Sequence, residues 1–254
     1  MKLFALSLVL VGCGTVRETP DAAVNGDGVV IDAKIPTNCD NNGIDITAEH
    51  LDWDSSDDGA AFCGVGGAVW QVRGSTDAKE MTSTGPNGRA EIKCLPPDAN
   101  VTVDVTVPAG PNQCTTHPGS YAVNGIAYFN KQVLMMLPAA DAFRARSIST
   151  TRVTNFYSQV GAAYDATKGA LLVHVVGPAQ IVNIGAAHDT AEYFDGTLWQ
   201  AQSTTPGSTV KEVFFPNVAV GTTAVTSGLS GTIGLDTNVP IEANKITYVT
   251  IYHP

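Results

Sequence analysis

Short apolar runs broken by clusters of Gly, Pro, Asn and Asp set the pattern of this chain. The run Val101-Thr102-Val103-Asp104-Val105-Thr106-Val107 alternates with period two, which puts four valines on one face of a strand and Thr102, Asp104 and Thr106 on the other. Such a strand has one face in a core and one in water. Strands are likewise expected at 68–72, at 90–95 before the stop Pro96-Pro97, at 170–176, through 193–200 and at 245–252, where β-branched and aromatic residues collect. Between the halves, the spacing predicts helices over 131–145 and 151–164, with Val153, Phe156, Tyr157, Val160 and Tyr164 near helical period. Their expected role is to cover a sheet or wedge between domains.

The strand grammar is used twice. Thr84 to Pro96 followed by Val101-Thr102-Val103 is echoed by Thr205 to Pro216 followed by Thr223-Ala224-Val225, each reading as turn, strand, proline turn, strand. Gly67-Ala68-Val69-Trp70 before a polar turn, the Gly88 turn and the Pro96 turn, together with Asp165 to Val173, Phe215-Pro216-Asn217-Val218 and Gly221-Thr222-Thr223, carry a resemblance. The chain resembles the prealbumin-like sandwich modules called carboxypeptidase regulatory-like or collagen-adhesin B-type domains. The resemblance implies an all-β fold of two prealbumin-like β-sandwich domains at 45–124 and 165–254, joined by a partly helical connector at 125–164. It also implies noncatalytic duty as spacer, adhesive unit or platform, although fold alone does not fix which. Ile46 to Trp53 replaces the usual opening strand, Asn183 to His188 departs from the second module's pattern, and no Lys-Asn-Glu set for an isopeptide crosslink is apparent.

The amino end adds an address. Lys2 precedes the apolar run Leu3 to Val11, and Leu10-Val11-Gly12-Cys13 closes it, the pattern of a bacterial lipoprotein signal peptide over 1–12. The run is too short to span a bilayer as a helix. In this reading Cys13 becomes the first mature residue and its thiol accepts the lipid, and two or three acyl chains on one residue anchor durably. The expected location is the cell envelope, lipid-anchored to a bacterial membrane, at the outer membrane or cell surface. Residues 13–44 read as an acidic flexible tether, because small, acidic and turn residues there bury too little to offset their ordering entropy.

Charge narrows the partners. Of the formal −10, residues 14–58 carry −9, with only Arg17 and Lys34 against eleven carboxylates. No cationic cluster exists to release counterions, so nucleic acid is not an expected partner. Expected partners are membrane lipid through Cys13 and an envelope protein or glycan. The leading function is a noncatalytic structural or binding module, with a carbohydrate-binding or adhesive surface protein as the alternative and a metal-dependent enzyme third. No cofactor is expected.

Candidate chemistry is sparse. Asn38, Asp40, Asn42, Gly43 and Glu49 partly match a calcium loop, and Asp52, Asp54, Asp57 and Asp58 form a second oxygen-rich cluster, each weighed against a solvated acidic loop. Tyr121, Tyr128, His174 and His188 lack the local spacing of an iron site, and Gly228 to Thr232 fails the nucleophile-elbow pattern at its last position. Trp199 and Tyr193 are candidates for stacking on a ligand ring. Cys39, Cys63, Cys94 and Cys114 are an even set in an exported chain and are expected to form two disulfides, with three pairings open; unpaired thiols and zinc are the weaker readings. Each bridge should add roughly 2 to 4 kcal/mol. Thiol labelling of the denatured, unreduced protein is expected to leave these four unlabelled, and stoichiometric labelling of all four would exclude the bridges.

Overall fold

The computed structural model describes residues 43–56, 62–75, 79–81, 88–111, 114, 119–137, 142–159, 161–178, 181–201 and 211–253. Cys13, Cys39, the signal and nearly all of the tether lie outside these residues. The described chain is built mainly from strands, as expected for an all-β protein. In order they are β1 (Ile44–Asp52), β2 (Val69–Val72), β3 (Lys79–Met81), β4 (Arg89–Leu95), β5 (Val101–Thr106) and β6 (Asn124–Phe129). After helix α1 (Lys131–Met136), strand β7 (Phe143–Ser147) and helix α2 (Thr150–Gln159) come β8 (Gly169–Val176), β9 (Val182–Ile184), β10 (Glu192–Phe194) and β11 (Trp199–Ala201). The last four are β12 (Glu212–Val218), β13 (Gly221–Ser227), β14 (Asp236–Ile241) and β15 (Lys245–Tyr252).

The sheets do not close within each half. One nine-stranded sheet runs β11-β10-β12-β8-β15-β6-β5-β2-β3, so the final strand lies between the halves. β15 pairs parallel with β8 from Ile246↔Ala170 to Tyr252↔Val176, and parallel with β6 from Lys245↔Asn124 to Tyr248↔Ala127. Two three-stranded sheets complete the architecture, β4-β1-β7 and β14-β13-β9. Residues 35–254 accordingly form one compact unit, which corrects the expectation of two independent sandwiches.

The two faces of the large sheet explain its sequences. Ala170, Leu172, Phe214, Ile246 and Tyr248 belong to one core together with Ile46, Ala48, Phe143, Val153 and Phe156. The alternate positions Leu171, Val173, Val213, Phe215, Val249 and Ile251 belong to a second core with Val182, Val225 and Val239. β8 and β15 are thus apolar at both parities because both their faces are covered, as central strands require. β5 keeps the predicted alternation, with Val101, Val103 and Val105 buried and Thr106 exposed. Gly125 in β6 is required by this arrangement, since a Cβ there would stand 2.2 Å from the Tyr248 ring.

Three local expectations change. The helix over 131–145 stops at Met136, and 143–147 is instead a strand that pairs parallel with β1. The connector therefore contributes β6 and β7 as well as helices. Phe215 to Val218 is a bulge inside β12, because Pro216 has no N–H to donate and Asn217 takes the left-handed φ of 48°. The Asn217 amide donates to Ala163 O and to Asp189 Oδ2, both at 2.7 Å, which holds the bulge against the approach to β8.

Because β15 completes the sheet of both halves, the fragment 151–254 alone is expected to show no cooperative thermal melt, and the whole chain a single one. Calorimetry of both checks this; a cooperative transition in the fragment would restore independent modules.

Candidate functional site

Charged and polar groups converge on the turn 52–56, Asp52-Trp53-Asp54-Ser55-Ser56, which follows β1. Ser55 N bonds back to Asp52 O at 3.0 Å and closes the turn. Ser55 Oγ donates to Cys63 O at 2.9 Å and accepts from Cys63 N at 2.8 Å, while Asp52 N reaches Cys63 O at 2.8 Å. Cys63 is in turn bridged to Cys114, with Cα atoms 6.0 Å apart. Tyr121 OH donates to Asp52 Oδ2 at 3.3 Å, and burial together with that carboxylate pushes the phenol upward, so it remains a donor.

Elements from later in the chain grip the same turn. Arg146 of β7 donates from Nη1 to the carbonyls of Ser55 at 2.8 Å and of Asp52 and Trp53 at 3.4 Å. Its Nε bonds to Glu212 of β12, and its guanidinium lies 4.3 Å from the Phe194 ring centroid. Arg152 of α2 donates from Nε to both oxygens of Asp54 at 3.2 and 3.0 Å. Trp199 Nε1 donates to Trp53 O at 3.1 Å, and the two indoles stack at 4.7 Å and 13°. Ser56 Oγ donates to Gly196 O at 3.1 Å.

Arg146 and Glu212 are both fully buried. Burial opposes ionisation of Glu212, but Arg146 and His174 outweigh it and hold the carboxyl below the usual range. His174 Nδ1 lies 3.7 Å from Glu212 Oε1. Register places Glu212, His174 and Thr250 side by side on β12, β8 and β15. The row is a polar seam in a sheet face that also carries Glu192, cross-strand from Phe214, among mainly apolar residues.

A second pair looks like a nucleophile and its base. His50 Nε2 lies 2.6 Å from Ser147 Oγ, and both residues are 0% exposed. Burial pushes His50 down to about 3, so it stays neutral at physiological pH and is a poor proton acceptor. Its Nδ1 has no hydrogen-bond partner to orient it, and Trp70 meets the ring edge-on at 5.7 Å. The pair is sealed core.

The sequence candidates are placed as follows. Tyr193 is 5% exposed in the second core, and the partly buried Trp199 gives one ring face to Trp53, so the two do not form a stacking platform for a ligand. Asp54 is taken by Arg152, and Glu49 lies on β1 beside Arg144 at 3.4 Å, so neither is an open calcium ligand; Asn38, Asp40, Asn42, Asp57 and Asp58 lie outside the described residues. Tyr121, Tyr128 and His174 face different partners, Asp52, Asp236 and Glu212, and His188 is exposed beside Phe215. Among the described residues no group of three or more His, Cys, Asp or Glu could hold a metal ion. Lys93, Lys131, Lys168, Lys211 and Lys245 are each at least partly exposed, which does not supply a buried amine for a crosslink. Cys63–Cys114 is one of the three open pairings made definite, and Cys94 is also disulfide-bonded, to a cysteine outside the described residues.

No protein-family model and no curated protein matches the chain. Among solved structures, the Bacillus anthracis TIE protein is 12% identical over 83% of this chain and 34% of its own, with a TM-score of 0.24. The shaft pilin SpaA from Lactobacillus rhamnosus GG is 12% identical over 84% of this chain and 98% of its own, at 0.25, and a streptococcal ancillary pilin 12% identical over 82% and 68%, at 0.22. The chain spans about a third of the TIE protein. Likeness this slight carries neither site nor function across.

Removing one partner from a buried ion pair leaves an uncompensated charge, so Glu212→Gln should lose about 3–5 kcal/mol of stability. Lys245→Ala, which disturbs the partly exposed cluster of Arg73, Asp104, Glu242 and Lys245, should lose about 1 kcal/mol or less. Urea denaturation of both variants checks the contrast.

Proposed function

We propose that the protein is a lipid-anchored cell-envelope protein whose folded part is a noncatalytic structural or binding element. The observation that carries the noncatalytic reading is the use made of its reactive groups. Arg146, Glu212, His174, Ser147 and His50 are all buried, where they join parts of the fold. Cysteine use supports the anchor. Cys63, Cys94 and Cys114 are disulfide-bonded, so of five cysteines only Cys13 and Cys39 are left to complete the second bridge. The anchor reading takes Cys39 as the partner of Cys94 and leaves Cys13 for acylation at the end of the apolar leader. No described helix is long and apolar enough to cross a membrane.

The test is Cys13→Ser in cells fed a labelled fatty acid. The wild type should carry label and sediment with membranes, and the variant should lose both. A variant that keeps its label, or a wild type that is unlabelled and wholly released after processing, would overturn the anchor.

A further inference from the structure

The Glu192 carboxylate on β10 is 1% exposed, and its Oε1 has no hydrogen-bond partner. A buried carboxylate left this way is costly when ionised and tolerable when protonated. The cation acting on it is Arg152, the same guanidinium that Asp54 holds through Nε. Arg152 lies 5.0 Å over the Phe156 ring, which is 5.3 Å from Phe214, the cross-strand neighbour of Glu192, so two carboxylates share the surroundings of one arginine and Asp54 has the hydrogen bonds.

The other neighbours leave this competition in place. From α2 comes Tyr157, itself pushed upward by burial and so neutral. From the loop before β10 comes Asp189, which accepts from Asn217. Cross-strand on β12 is apolar Phe214, and the nearby Glu212 is committed to Arg146; cross-strand on β11 is Ala201. Burial outweighs the pull of Arg152 and pushes Glu192 up to about 8.

We propose that Glu192, Arg152 and Asp54 form a proton-controlled latch: protonated Glu192 leaves Arg152 on Asp54, and ionised Glu192 draws Arg152 toward itself, loosening the 52–56 turn from α2 and from β10–β11. The turn's other ties to that hairpin, Ser56 to Gly196 and Trp53 on Trp199, respond with it. Because the folded-state value lies above the ordinary 4.5, the group's contribution to stability is complete below about pH 4.5 and is lost as pH rises through about 8.

The stacked Trp53–Trp199 pair reports on the latch. Near-ultraviolet circular dichroism of the full chain should show its indole signal weakening between pH 6 and 9 with a midpoint near 8, whereas Glu192→Gln, which mimics the protonated form, should keep the signal throughout. Carbon NMR of the wild-type glutamate carboxyls supplies a measurement independent of the variant's folding, and should show one carboxyl titrating near 8. A wild-type signal flat from pH 6 to 9, a transition that survives in a folded Glu192→Gln, or no glutamate carboxyl titrating near 8 would each overturn the latch.

Discussion

The insertion of β15 between β6 and β8 is the constraint from which the architecture follows. Parallel pairing on both edges makes β15 a shared wall of both cores, so Ile246 to Ile251 are buried at odd and even positions alike and mostly apolar. It also requires Gly125 where Tyr248 crosses and brings the carbonyl of Arg146 within 2.8 Å of Tyr248 OH. The smaller β4-β1-β7 sheet is thereby set over one face, with its arginine aimed at the 52–56 turn.

That turn shows how buried charge serves position here. A guanidinium with a fixed fork of donors can satisfy carbonyls and a carboxylate at once, which a lysine cannot do. Arg146 uses this to hold a turn and β12 together inside the protein. Replacing such a group by apolar side chains need not weaken a fold, so its contribution lies in fixing one arrangement as much as in stability. The surface cluster of Arg73, Asp104, Glu242 and Lys245 differs: its side chains are 29–40% exposed and screened, and the bonds from Arg73 hold Asp104 below its usual range against the opposing effect of burial.

Much of the strand content could be read from local pattern, because β4, β5, β8 and β15 keep their sequence periods. Strand partners could not. A parallel neighbour is chosen by packing across 76 residues for β15 and β8 and 121 for β15 and β6, and the repeated turn grammar pointed to closure within each half. β7 was hidden because Arg144 and Arg146 make 143–147 look like the solvated side of a helix, when one arginine pairs with Glu49 and the other with Glu212. The Asp54–Arg152 and Ser147–His50 contacts span 98 and 97 residues, beyond the reach of spacing arguments. Trp199 was legible as an aromatic beside a turn, but its companion Trp53 was visible only in three dimensions.

The position of β15 also dictates an order of events. A chain made from its amino end holds every other described strand before the one that joins β6 to β8, so the large sheet stays in two pieces until β15 is available. Chains that still lack β15 therefore present two open strand edges, which are prone to pair with the wrong neighbour. Contacts this distant in sequence form slowly.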